Sequence, residues 1–327
     1  MKKWILPLVA LLILSGCNNF PVYKQNGLEQ LIVQRETIQE QFVDLEVIQL
    51  DDDYEITVVF PFKAYEEYIR IVNKQGSQDE SSQLKDIFQE TVIDNIATYC
   101  FLTKPNSIHY DHYINNPPPL KGDLLKTYLK ELDKEAILMM IAKGLTESRD
   151  LLKGPKKGNV CVLPAPTFSY SSGIAKGERN MILFYRNIND LDSLFDVITH
   201  EYHHNALANL APTHNYITLL EQLIIEGKAT YFESLLNQES VLNGGEEYEN
   251  HELVKVVLEN LDSYSSEFNE KVLFGDDERF PPNYGYYLGY TIVKEYVEKH
   301  PQLSIEEWTK ADPEEILENT EDWKHSY

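Results

Sequence analysis

The segment Phe195-Asp-Val-Ile-Thr-His-Glu-Tyr-His-His-Asn205 holds the side chains of this 327-residue chain best suited to chemistry: His200, Glu201 and His204, in the order H-E-x-x-H. On a helix, residues four apart share a face, so the two imidazoles can meet one tetrahedral Zn²⁺ while Glu201 stands beside them as a base for water. Downstream, Thr218 to Glu233 is a second run of helical period carrying Glu226, with 21 residues (205–225) between it and His204. Two His and one Glu form a three-ligand zinc site with the fourth position open, as hydrolytic zinc enzymes require.

The elements needed to present these groups can be read from the same stretch. Leu194, Val197, Ile198, Ala206, Leu207 and Leu210 recur at helical spacing around the histidines, so a helix with a buried side is expected, starting after Asn189-Asp190. A different third ligand, a His six residues beyond His204 with a Gly at three, is ruled out because those positions are Leu207 and Leu210. His214 follows Ala211-Pro212-Thr213 in an expected turn and is a weaker alternative ligand. His203 faces about 100° away from His204 and is expected to be a polar neighbour rather than a ligand. Glu233, seven residues beyond Glu226, shares its helix face and could orient a ligating His by accepting the free ring N–H.

His200-Glu-Tyr-His-His204 followed by Glu226-Gly-Lys-Ala-Thr-Tyr-Phe-Glu233 resembles the gluzincin zinc metallopeptidases, the group that includes thermolysin and the aminopeptidases related to leukotriene hydrolase. The HEYHH form, together with Gly285-Tyr-Tyr-Leu-Gly-Tyr290, is closer still to a bacterial family of predicted zinc-dependent proteases, a resemblance running from about Val160 to Ser326. It implies an α+β, mostly helical fold: a zincin-like catalytic domain with a small sheet beside the H-E-x-x-H helix. It also implies Zn²⁺ as cofactor, His200, His204 and Glu226 as its ligands, Glu201 as general base, and a peptide or protein substrate.

A site of this kind also needs a donor for the oxyanion that forms when water attacks a peptide carbonyl. Tyr286 is the candidate, because Tyr, two residues, then Gly289 is similar to the tyrosine segment of the leukotriene-hydrolase-like aminopeptidases. Gly289, one turn on, would let its helix approach closely. Tyr287 and Tyr290 are the alternatives for the same role.

Elsewhere the chain supplies context. Met1-Lys-Lys, an apolar run from Trp4 to Leu14 and Leu14-Ser-Gly-Cys17 match a lipoprotein signal, with Cys17 the lipidated residue, 1–17 the signal and 18–27 a polar tether. The apolar run is too short to span a bilayer core of about 30 Å. The expected location is the extracytoplasmic face of the cell membrane, held by lipid. A formal charge of 29 − 53 = −24 argues against nucleic-acid binding and against a strongly acidic substrate.

Residues 28–142 read as an N-terminal α+β region of unnamed role, with a strand at Tyr54–Phe60 and helices over 63–72, 83–99 and 122–142. The Lys/Gly/Pro-rich stretch 143–158 reads as a linker, and 159–327 as the catalytic domain. Strands are expected at 159–163 and 181–185, the latter either a sheet edge that holds substrate by strand addition or a core support. His109, Asp111 and His112 form at most an ancillary metal group. Cys100 and Cys161 fit either a disulfide or two buried thiols. The competing functional class is a lipid-anchored binding or assembly factor on the same scaffold without catalysis.

Overall fold

The computed structural model describes residues 34–51, 53–75, 81–101, 113, 124–164, 172–185, 191–211, 218–237, 248–276 and 278–320. Cys17, the signal and tether, His109, Asp111, His112 and His214 lie outside the described residues. Among those described, no helix is long and apolar enough to cross a membrane.

The fold is α+β, built on one mixed six-stranded sheet in the order β1-β2-β3-β4-β6-β5. Strands β1 (Gln34–Gln39), β2 (Asp44–Asp51) and β3 (Tyr54–Phe60) form an antiparallel meander. Strand β3 pairs in parallel with β4 (Lys157–Pro164), and β4 in parallel with β6 (Asn180–Tyr185). The short β5 (Gly173–Lys176) completes the sheet, antiparallel to β6.

Alternation along the central strands explains why helices cover both faces. Val160, Val162, Met181 and Leu183 enter one apolar core, whereas Cys161, Leu163, Ile182 and Phe184 enter another on the opposite face. A parallel pair needs a crossover, and the β3–β4 crossover is helical. It contains α1 (Phe62–Gln75), α2 (Ser81–Phe88), which runs on to Phe101 through π-helical turns at Gln89–Ile93 and Ala97–Phe101, α3 (Leu124–Glu131) and α4 (Lys134–Leu151). The expected single helix over 122–142 is divided because Asp133 accepts the Ala136 N–H and caps a fresh start.

One expectation about organisation needs correction. Residues 143–158 are not a domain boundary: 143–151 are the last turns of α4, and the sheet runs across the division by pairing β3 with β4. Gly144, which reads as linker composition, is a packing glycine; a methyl group there would lie 2.7 Å from Ile198 Cγ2 on the zinc-motif helix. Of the two readings of 181–185, the fold gives the core support rather than the edge, since β6 lies between β4 and β5; the edge is β5, inside a segment whose Pro/Ser/Gly content reads as loop.

The remaining helices are α5 (Leu191–Leu210), α6 (Leu219–Leu236), α7 (His251–Leu258), α8 (Ser266–Phe274), α9 (Tyr284–Lys299), α10 (Ile305–Lys310) and α11 (Pro313–Glu318). They pack with α4 on the face of the sheet that carries Val160 and Val162.

Cys100 and Cys161 are joined as a disulfide that ties the end of the α2 helical run to β4 across 61 residues. Closing a loop of that size restricts the unfolded chain by about 4 kcal/mol in the chain-entropy treatment. Cys100→Ser, Cys161→Ser and the double variant should therefore each lower the midpoint of thermal unfolding by a similar amount, measured by calorimetry. Unchanged melting in the double variant would remove the bond from the account of stability.

Candidate metal centre

Helices α5 and α6 bring together three atoms that could bind a metal ion. Helix α6 starts where Thr218 accepts the Glu221 N–H and the Glu221 carboxylate accepts the Thr218 N–H, a capping box that sets the helix register and hence where Glu226 points. His200 Nε2 lies 3.1 Å from Glu226 Oε2 and 3.1 Å from His204 Nε2, and His204 Nε2 lies 3.4 Å from Glu226 Oε2. Tetrahedral zinc with bonds of about 2.0–2.1 Å requires ligand atoms about 3.3 Å apart, so this triangle has the right size. Its imidazole and carboxylate donors suit Zn²⁺, and the three residues together could hold a metal ion.

His200 Nδ1 lies 3.3 Å from Glu233 Oε2, so with a metal ion on Nε2 the remaining ring proton, on Nδ1, would be donated to Glu233. Burial alone would lower the His200 pKa, but hydrogen bonds to Glu226 and Glu233 outweigh it and hold the pKa well above the usual value. For Glu226 burial acts upward and is overcome by His204 and His200, which hold the carboxylate ionised. Burial raises the pKa of Glu201, partly offset by the two histidines, which moves a carboxylate toward the range of a general base. One oxygen of Glu201, Oε2, accepts the Ala175 N–H of β5 at 2.6 Å.

Tyr286 completes the group. Its ring centroid is 5.9 Å from that of His200, and its hydroxyl lies within the influence of the Glu226 and Glu201 carboxylates. Burial, then the charges of Glu226 and Glu201, keep that hydroxyl protonated and able to donate. The approach depends on two glycines: a methyl group at Gly227 would collide with the Gly289 backbone, and one at Gly289 with the Leu223 carbonyl. Helices α6 and α9 therefore touch backbone to backbone beside Glu226. Tyr287 packs on Tyr248 with centroids 5.1 Å apart, and Tyr290 on Tyr231 at 6.1 Å. Of the three tyrosines, the structure brings Tyr286 to the histidines.

Residues 137–318, more than half of the chain, match the family described as "Predicted Zn-dependent protease (DUF2268)". The chain belongs to this family. Neither the curated proteins nor the solved structures contain a match. The family match begins at Ile137, inside α4, earlier than the expected start near Val160. That start agrees with the Gly144–Ile198 contact that seats α4 on α5.

Other polar side chains of α5 tie this predicted zinc-dependent protease together behind the candidate metal centre. His203, expected as a polar neighbour, is buried, stacks on Trp308 at 5.6 Å and places Nε2 3.2 Å from Thr309 Oγ1; burial, then His204, depresses its pKa well below the usual value. The Tyr202 hydroxyl donates to the Leu152 carbonyl and accepts the Gly154 N–H. Asn205 Nδ2 donates to the carbonyls of Gly177 and Asn180. Sequence reasoning missed Tyr202, Asn205 and Ala175, because each of these contacts joins a side chain to a backbone atom distant in sequence.

Metal analysis of purified protein tests this centre. His200→Ala, His204→Ala and Glu226→Ala should each abolish stoichiometric zinc, whereas Glu233→Gln should retain it at saturation but bind about 10–100-fold more weakly. Full zinc in Glu226→Ala would remove it from the ligand set, and unchanged affinity in Glu233→Gln would remove the orienting role.

Proposed function

We propose that this protein is a gluzincin-type zinc peptidase that hydrolyses peptide bonds of extracytoplasmic peptides or proteins, with Glu201 as general base. The observation that supports this most is convergence: a zinc-sized His200–His204–Glu226 triangle, the Glu201 carboxylate and the Tyr286 hydroxyl all meet in one partly buried place. A binding factor without catalysis would need the triangle but neither of the last two groups.

Zinc, when bound, acidifies water and polarises a carbonyl oxygen. Glu201, its Oε2 held by the Ala175 N–H, takes the water proton at Oε1 and returns it to the leaving amine nitrogen. Tyr286 donates its hydroxyl hydrogen bond to the oxyanion that forms on the former carbonyl oxygen. Glu233 keeps the Nδ1 proton of His200 in place throughout.

The location follows from the N-terminal segment. Two lysines, an eleven-residue apolar run and Leu-Ser-Gly before Cys17 support lipidation of Cys17, which would hold the catalytic domain at the outer face of the cytoplasmic membrane.

Proteolysis of a denatured-protein mixture, read by mass spectrometry, tests the chemistry. Glu201→Gln should keep zinc but lose about 10²–10⁴ in turnover. Tyr286→Phe should keep zinc and lose about 10²–10³ in kcat, with Tyr287→Phe near wild type. Identical cleavage by wild type and Glu201→Gln would overturn the peptidase reading. For the anchor, Cys17→Ser should either remain unprocessed or leave the membrane fraction; a processed Ser variant still sedimenting with membranes would contradict lipidation.

A further inference from the structure

We infer that the β5–β6 hairpin is the positioning element for Glu201, with Asn205 pinning the hairpin turn and Gly173 making room for the carboxylate. The inference rests on the peptidase reading above and adds two residues to it. Helix α5 presents two stripes. His200 and His204 face α6, whereas Val197, Glu201 and Asn205, spaced four apart, face the hairpin.

Three contacts along that second stripe lock the strand to the helix. At one end, a methyl group on Gly173 would lie 2.6 Å from Val197 Cγ1, 2.8 Å from Glu201 Cγ and 3.0 Å from Glu201 Oε1, so only glycine lets β5 approach this closely. In the middle, Ala175 N–H donates to Glu201 Oε2. At the other end, the buried Asn205 amide donates to Gly177 O at 2.6 Å and Asn180 O at 3.0 Å, holding both sides of the turn. Gly177 supplies the positive φ of 62° that this turn uses. From the side of β4, Asn159 N–H donates to the Arg179 carbonyl, so the turn is fastened from two directions.

The hairpin register explains why a backbone donor is available. Phe184 N–H donates to the Ser172 carbonyl, and Ser172 is followed by the pairs Gly173–Leu183, Ile174–Ile182 and Ala175–Met181. Antiparallel pairing alternates, so Ile174 and Lys176 turn their backbone groups toward β6 while Gly173 and Ala175 turn theirs outward. The outward Ala175 N–H binds one carboxylate oxygen and leaves Oε1 to receive a proton. A general base performs only while held near its productive geometry, and a displacement of about 1 Å costs about 100-fold. Asn205, which has no place in the chemistry itself, sets that geometry at one remove.

Two measurements on full-length, zinc-loaded protein test this. Amide hydrogen exchange should show Ala175 protected in wild type and exchanging at least about 10-fold faster in both Glu201→Ala and Asn205→Ala. Steady-state kinetics should show Asn205→Ala and Gly173→Ala with full zinc, KM within about 3-fold and kcat lowered about 10–100-fold. Equal Ala175 exchange in wild type and Glu201→Ala, or wild-type kcat in both positioning variants, would overturn the inference. Zinc loss in both variants would also overturn it, since the hairpin would then support the metal ligands rather than the base. Should one variant fail to fold, the other decides. Equal cleavage by wild type and Glu201→Gln would instead sink the peptidase reading, and the exchange measurement would still report whether β5 holds Glu201.

Discussion

Two imidazoles and three carboxylates, from His200, His204, Glu201, Glu226 and Glu233, sit together among apolar helices with little access to water. Such groups cost several kcal/mol each to bury unless each finds a partner, and the surrounding fold supplies partners one by one. Glu226 takes both imidazoles, Glu233 takes the far nitrogen of His200, and Glu201 takes a backbone N–H from the sheet edge. Around the two histidines the carboxylates outnumber the imidazoles. A divalent cation at the triangle would offset that negative charge, which gives the centre an electrostatic reason as well as a geometric one to take metal.

That arrangement requires α5 to be held on every side. From Tyr202 to Asn205 successive side chains engage the α4–β4 connection, helix α10, helix α6 and the β5–β6 turn. Close backbone approaches make these contacts possible at Gly144 beside Ile198, at Gly227 against Gly289, and at Gly173 beside Glu201. Each trades helix or strand propensity for proximity, a cost of about 0.5–1 kcal/mol per glycine set against the packing gained. At the same time Lys228, two residues beyond Glu226, is buried with its ammonium donating to the Thr309 and Ala311 carbonyls. Burial depresses its pKa to about 7; α6 thus presents Glu226 to the candidate metal centre and Lys228 to the C-terminal helices.

How much of this was legible in the sequence depends on range. His200, Glu201 and His204 lie on one helix face, where spacing alone places them, and Glu226 falls within the next run of helical period. Tyr286 could be singled out because Gly289 sits one turn on, a local clue to a tertiary contact. The sheet was harder to read. Strands β3 and β4 pair across a helical crossover, and nothing in 143–158 distinguishes a packing glycine inside α4 from a linker glycine until Ile198 is known to lie against it. Strand β5 is four residues long, and its outward N–H has a role only once Glu201 is beside it. Asn205 is one polar residue among many on α5 unless the hairpin turn is in view.

Zinc K-edge X-ray absorption on the protein as isolated reads the ligand set itself, without substrate and without substitution. Two imidazoles and oxygen donors at about 2.0–2.1 Å, with no sulfur, are what His200, His204 and Glu226 with one open position predict. A sulfur shell near about 2.3 Å, or three or more imidazoles, would place the metal on other residues and contradict the account.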